Sequence, residues 1–319
     1  MALPTASDVH VDSALTNISV AYIQDANNFV YNKVFPMVPV VHKTDKFMEF
    51  DIDDMRRIEA KARAAGTESR GKGIRLSQTA YSCEVYAVHH DIPDQVRANQ
   101  DPSLNLELAA TTLVTQDLML QAEKKFCDTF MTTTVWGTDK AFTAAQRWDN
   151  KASSDPFADI KTGQLTVLES TGIEANTLVL SVEVFAALKE HPLIVDRLKY
   201  TSSESITADI LARLFEVDRL LVTKASQVTS AEAIDPVTTD FICGKHALLC
   251  HVAPTPGLLT PTAGYTFVWS GFTNENNMGV KVKNFRMEHL EVSRVEGQFS
   301  YDQQLVGGDL GYFFNGAVA

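Results

Sequence analysis

The stretch from Asn176 to Ala225 constrains the fold most, because it reads as strand, interrupted helix, second helix and strand in immediate succession. Thr177-Leu178-Val179-Leu180 is an apolar, strand-like run. Ser181 is placed to cap a helix whose apolar positions Val184, Phe185 and Leu188 share one face. Pro192 interrupts that helix before Leu193, Ile194 and Leu198 resume the pattern. After the polar run Thr201-Ser202-Ser203-Glu204-Ser205, Ile206, Ile210, Leu211, Leu214 and Phe215 recur at helical spacing, and Arg219-Leu220-Leu221-Val222-Thr223 returns as a strand. No catalytic group punctuates this unit.

A chain of 319 residues can bury a sizeable core, as one large or two ordinary domains. Hydrophobic residues make up 45 % and charged residues 21 %, which argues for a folded globular chain against disorder or a fibrous repeat. No run is long and uncharged enough for a transmembrane helix, and the opening MALPTASDVHVDSAL lacks the basic-then-apolar order of a signal peptide. Synthesis and folding in a cytoplasm are therefore expected. The four cysteines, Cys83, Cys127, Cys243 and Cys250, are too scattered for a disulfide framework, and all are expected to be reduced. A net charge of −12 argues against a protein that grips DNA by counterion release, while permitting a container whose wall does not hold its contents.

Along the chain, residues 1–44 mix small polar residues with a modest helical pattern at Ile18 to Tyr22, then turn extended from Val34 to Val41, where Pro36 and Pro39 forbid a helix interior. This stretch is expected to have little core of its own and to lie across a neighbour as an arm. Lys46 to Ile52 alternates as a strand, and Ile74 to Val88 forms a second extended run. The glycine-punctuated segment between them makes an extended hairpin, which needs something to lie on. Asp101-Pro102-Ser103 predicts a helix start, with Asp101 as cap. From there Leu104, Leu106, Leu108, Leu113, Leu118, Leu120, Phe126 and Phe130 recur without a breaker, a rod of roughly 40 Å at ~1.5 Å per residue. Ile160 to Leu168 predicts a further helix. Asp240 to Cys243 and Ala247 to Cys250 are strand-like, and from Tyr265 onward come short strands separated by Gly and Asn, ending in Gly307-Gly308-Asp309-Leu310-Gly311-Tyr312-Phe313-Phe314-Asn315.

The wording LVLSVEVFAALKEHP and LARLFEVDRLLVTKA, in that order of pieces, resembles the axial domain of tailed-phage major capsid proteins of the HK97-like fold. The hairpin resembles the family's E-loop, the long helix its spine helix, and the glycine-aromatic ending its C-terminal peripheral strand. The resemblance implies an α+β fold divided into an N-terminal arm (1–44), an E-loop hairpin (45–92), a peripheral or P domain with the spine helix (93–152), an axial or A domain (153–253) and returning P-domain strands (254–319). It implies a subunit that assembles with itself, as hexamers and pentamers, into an icosahedral virion capsid around double-stranded DNA. Assembly in the host cytoplasm is implied, with no specific DNA binding, no membrane and no enzymatic activity. The arm starts almost at Met1, which implies a separately encoded scaffolding protein, beside a portal and decoration proteins. The family's covalent cross-linking through a loop lysine is not carried over to Lys61 or Lys72.

Other constellations read as structural. Cys243, His246, Cys250 and His251 have metal-ligand residue types but no Cys-x-x-Cys knuckle, and sit in apolar runs where free cysteine is a small core residue. In His89-His90-Asp91 and Glu288-His289, neighbours on a strand point to opposite faces, so adjacency makes no dyad. Gly71-Lys72-Gly73 lacks the rest of a P-loop and is a flexible turn. No cofactor or metal is expected.

The sharpest departure from the acidic average is the hairpin tip, with Arg56, Arg57, Lys61, Arg63, Arg70, Lys72 and Arg75. As a solvated loop it needs no explanation. As a contact element it would meet a negative surface on the next copy, a heterologous contact of the kind that propagates into a lattice. An encapsulin-like nanocompartment subunit is the alternative within this fold, and a cytoplasmic α/β enzyme the alternative outside it.

Overall fold

A computed structural model of the chain describes residues 24–25, 28–50, 52–99, 105–198, 206–231, 236–257, 260–273 and 279–319. The expected arm helix at Ile18 to Tyr22, the cap at Asp101 and the polar run Thr201 to Ser205 lie outside these residues. The strands are β1 (Met37–Val40), β2 (Thr44–Phe50), β3 (Leu76–Ser82), β4 (Glu84–Pro93), β5 (Thr138–Ala141), β6 (Thr177–Ser181), β7 (Arg219–Thr223), β8 (Ser226–Val228), β9 (Thr239–Phe241), β10 (Ala247–Cys250), β11 (Gly264–Trp269), β12 (Lys281–Met287), β13 (Val292–Leu305) and β14 (Gly311–Asn315).

The opening segment folds as expected. β6 is followed by helices Val182–Lys189, Pro192–Leu198 and Ala208–Leu214, and then by β7, which pairs parallel with β6. Ser181 caps the first helix by accepting from the Val184 amide, and Thr207 does the same for the third through Ile210. These strands belong to a five-stranded sheet of order β5-β14-β10-β6-β7. β6 and β10 are buried throughout. Alternation sends Leu178, Leu180, Leu249 and Phe314 into a core with Trp148, Ile160, Leu188 and Leu211, and Val179, Leu248 and Phe313 into the core on the opposite face. The helix Pro156–Thr171, capped by Asp155, rests on the first face where Gly163 leaves room for Leu249 and Phe314. The glycine-aromatic ending, expected among the peripheral strands, is a central strand here, because Tyr312 to Phe314 bury both faces.

The second large sheet has β13 at its centre, with β11 and β12 along one edge and β4 along the other. β13 runs 14 residues, where the sequence suggested only short strands from Tyr265 onward. The long helix Leu106–Phe130 lies on this sheet, and its 25 residues span about 38 Å at ~1.5 Å per residue. Its cap is Asn105, whose side chain accepts from the Leu108 amide.

Two expectations are corrected. The extended run Ile74 to Val88 is split at Cys83: β3 pairs with β2, whereas β4 leaves to pair with β13 over ten residues. Cys83 is buried at this switch against Phe267, with its amide held by the Lys43 carbonyl at 2.9 Å. The stretch expected to have little core of its own also proves otherwise. Phe29, Val30, Tyr31, Val34 and Phe35 are all buried in the core shared with Val179, Leu248 and Phe313, and β1 runs parallel to β11. Phe35 meets Phe126 edge-on at 5.3 Å and Phe130 at 4.7 Å, where Gly264 leaves space for its ring.

Candidate functional site

The hairpin β2–β3 pairs from Thr44 opposite Ser82 to Phe50 opposite Leu76. Its two faces differ. Phe47 packs towards Tyr81 and Phe267, while Met48 and Leu76, on the other face, are 57 % and 53 % exposed. A short helix, Ile52–Arg56, follows β2, and residues 60–78 are exposed without interruption. The turn at the tip is closed by the Thr67 amide on the Ala64 carbonyl at 3.2 Å, with Gly66 at φ +83°.

The seven basic residues of this element fall into two groups. Arg75 grips Asp54 through Nε at 2.8 Å and Nη2 at 3.2 Å, which holds the Asp54 carboxyl below the usual carboxylate range. Arg70 pairs with Glu59 at 3.1 Å, and Lys72 donates to the Arg57 carbonyl at 2.8 Å. Arg56 reaches the end of the helix Pro156–Thr171, donating to the carbonyls of Ser170 and of Glu169, the latter at 2.9 Å. These four brace the loop. Arg57 adds only a longer-range pull on Asp54, and Lys61 and Arg63 have no hydrogen bond or ion pair among the described residues. The structure thus separates Arg57, Lys61 and Arg63, which face outwards, from Arg56, Arg70, Lys72 and Arg75, which the chain uses on itself.

No family model matches the chain. Its sequence is 25 % identical over 315 residues to the major capsid protein of Burkholderia phage BcepMu, covering 96 % of each. Among solved structures, it resembles a phage-related protein from Bordetella bronchiseptica RB50 with a TM-score of 0.70, at 24 % identity over 92 % of this chain and 94 % of that one. The capsid of cyanophage P-SCSP1u matches with a TM-score of 0.65, at 10 % identity over 97 % and 93 %. Over 96 % of its length the chain is thus similar to a phage major capsid protein, and its fold is that of the HK97-like capsid proteins. At 10 % identity the SrpI encapsulin of Synechococcus elongatus PCC 7942 shares that fold with a TM-score of 0.57, over 98 % of this chain and 95 % of that one.

The remaining candidates are dispersed by the fold. His90 lies opposite Val295 and His89 opposite Glu296, and Asp91 is taken by Arg294, whose Nε and Nη2 approach at 2.7 and 2.8 Å. That pairing holds the Asp91 carboxyl below its ordinary value. His246 accepts the Gly316 amide at Nδ1, 3.1 Å away, and burial lowers its pKa. His251 meets the Glu174 carbonyl at 2.8 Å through Nδ1, and Cys250 is buried in β10. The expectation of four reduced cysteines is corrected: Cys83 and Cys250 are free, but Cys127 and Cys243 form a disulfide. Sequence distance hid the pair, since 116 residues separate them.

Glu123 also escaped the sequence reading. It is fully buried on the long helix, and its Oε2 accepts the amides of Val30 and Tyr31 at 2.9 Å each, capping the helix Tyr31–Val34 from outside. Burial raises its carboxyl to about 7. The one available signal was a glutamate on the apolar stripe, four residues before Cys127. Among the described residues, no helix is long and apolar enough to cross a membrane.

Proposed function

We propose that this capsid protein assembles with copies of itself, as hexamers and pentamers, into the icosahedral shell that encloses the double-stranded DNA of a tailed bacteriophage, and that it carries no enzymatic activity. The observation behind this reading is the hairpin: Met48 and Leu76 exposed on one face, and Arg57, Lys61 and Arg63 turned outwards at the tip, on a chain of net charge −12. Such an element supports docking on an acidic, partly apolar surface of the next copy. The contact is heterologous and propagates. Arg56, Arg70, Lys72 and Arg75 contribute by keeping the loop in shape.

The division into an N-terminal arm (1–44), E-loop (45–92), P domain (93–152 and 254–319) and A domain (153–253) is part of this proposal, with the last strand, β14, joining the sheet of β6, β7 and β10. So are a scaffolding protein, a portal and decoration proteins as further partners, and assembly in the host cytoplasm. Each contact need contribute only modestly, because every subunit is held by several neighbours at once.

Negative-stain microscopy of the purified chain, over a series of protein and salt concentrations, tests the reading. Capsomers, tubes or shells are expected, and a monomer under every condition would overturn it. Nucleic acid inside particles from infected cells separates this reading from a nanocompartment that encloses protein. Alanine at His90, Asp91 and His246 is expected to leave assembly unchanged.

A further inference from the structure

Cys127 and Cys243 are joined with Cα atoms 5.1 Å apart, within the span that disulfide geometry tolerates. The bond fastens the long helix, near its C-terminal end, to the turn between β9 and β10. Glu123, one turn before Cys127, brings a carboxylate oxygen within 4.8 Å of both sulfurs. Its Oε2 is occupied by the Val30 and Tyr31 amides, whereas its Oε1 is buried without a partner. An orphaned buried oxygen calls for an explanation. A disulfide has no hydrogen to give it, but a thiol does. The carboxylate is therefore better satisfied when the pair is reduced, while the chain as a whole is better constrained when the pair is oxidised. Opposing preferences of this kind distinguish a reversible pair from a permanent staple.

We propose that Cys127 and Cys243 form a redox clamp, open as two thiols in a reducing compartment and closed as a disulfide in an oxidising one, with Glu123 Oε1 accepting a thiol hydrogen in the open state. The inference stands apart from the shell reading and does not depend on it. Closure uses a low-molecular-weight disulfide such as oxidised glutathione. One cysteine thiolate attacks a sulfur of that disulfide, whose S–S bond breaks and releases one glutathione thiolate. The second cysteine, as thiolate, then displaces the other glutathione and forms the Cys127–Cys243 bond. The two protons lost by the cysteines pass to the two departing thiolates, so two protein thiols are oxidised and one small disulfide is reduced. Both cysteines are buried, so exchange waits on local opening. Cys83 and Cys250 are buried free thiols and take no part in the bond.

The full-length chain, prepared with reductant under anaerobic conditions and then equilibrated with defined ratios of reduced to oxidised glutathione, provides the test. Thiols are counted by alkylation in denaturant with intact-mass readout, and the bond is located by peptide mapping. All four cysteines are expected to alkylate in the reduced chain and only Cys83 and Cys250 in the oxidised one. Tm is expected to rise by roughly 5 °C or more on oxidation and to fall back on reduction. Cys243→Ser is expected to remove the shift, and Cys83→Ser to keep it. If Cys243→Ser fails to fold, Cys243→Ala serves the same purpose, and the alkylation count on the unaltered chain stands without either. Four alkylated cysteines under both conditions, a bond mapped to any other pair, or a shift that survives in the Cys243 variant would overturn the proposal.

Discussion

A β-carbon on Gly297 would lie 2.2 Å from Val114 Cγ1, so the long helix meets β13 at the one position of that strand that carries no side chain. Leu118 Cδ1 closes the same space at 3.0 Å. Gly297→Ala is therefore expected to overpack the interface and cost about 1–3 kcal/mol, read as a lower denaturant midpoint. Adding Val114→Ala should recover part of that loss. Strict additivity of the two substitutions would show that the contact does not govern the helix position.

Glu123 makes stability depend on pH in an unusual direction. Burial raises its carboxyl from 4.5 to about 7, against the opposing pull of the Val30 and Tyr31 amides and of Lys33. A group raised in the fold contributes fully below its unfolded pKa of 4.5, and that contribution is lost as pH rises through about 7. Glu123→Gln, with the redox state held fixed, should therefore gain on the unaltered chain between pH 5 and pH 8, by on the order of 2–3 kcal/mol. Denaturation midpoints of both proteins at the two pH values check this, and a gap that stays constant would count against it.

His191 acts in the opposite sense. It is 0 % exposed, and its Nδ1 accepts the Leu193 amide at 3.3 Å, which leaves the hydrogen on Nε2, 3.0 Å from Ser154 Oγ. Burial lowers its pKa below 6.5, offset in part by Asp155. The neutral ring thus contributes fully above pH 6.5, and the contribution is lost as pH falls through the lowered value. His191→Gln should destabilise by about 1–3 kcal/mol at neutral pH, with the difference shrinking towards pH 5. An unchanging difference in Tm would refute the assignment.

Charge reversal at the loop tip separates assembly from folding. Lys61→Glu with Arg63→Glu touches no intramolecular ion pair recorded among the described residues, so Tm should stay within about 1 °C, since such surface changes stay within ±0.5 kcal/mol. Particle formation by light scattering should slow at least tenfold at low salt, because the tip would then repel an acidic neighbour. Arg75→Glu should instead lower stability, since it places a carboxylate against Asp54.

The unit from Asn176 to Ala225 was legible because its caps, breaker and apolar spacing are all local. The hairpin was legible for the same reason, but not its internal bracing: nothing in the order of seven cations tells that Arg56 reaches a helix more than a hundred residues away. The long helix was found from its apolar spacing, and Leu118, Phe126 and Phe130 are buried as expected, yet Leu108 and Leu113 are 64 % and 57 % exposed, while Ala110, Val114 and Ala122 complete the buried stripe. These small residues were overlooked because close approach to a sheet, and not hydrophobic volume alone, decides that face. β13 was underestimated since Gly297, Asp302 and Gln303 break an apolar alternation that only its neighbours in space explain. The stretch 1–44 was read as having little core of its own because the partners of Val30 and Phe35, Glu123 and Phe126, arrive almost a hundred residues later.

Arg56 holds the ends of two elements together by reading main-chain carbonyls of Glu169 and Ser170, not their side chains. Substitution at 169 or 170 therefore leaves the anchorage intact, whereas substitution at 56 removes it. Over many generations the two sides of this contact should drift at unequal rates: the helix end free to change its surface, and the single arginine fixed, so that the root of the loop keeps its place while the outer wall is remodelled around it.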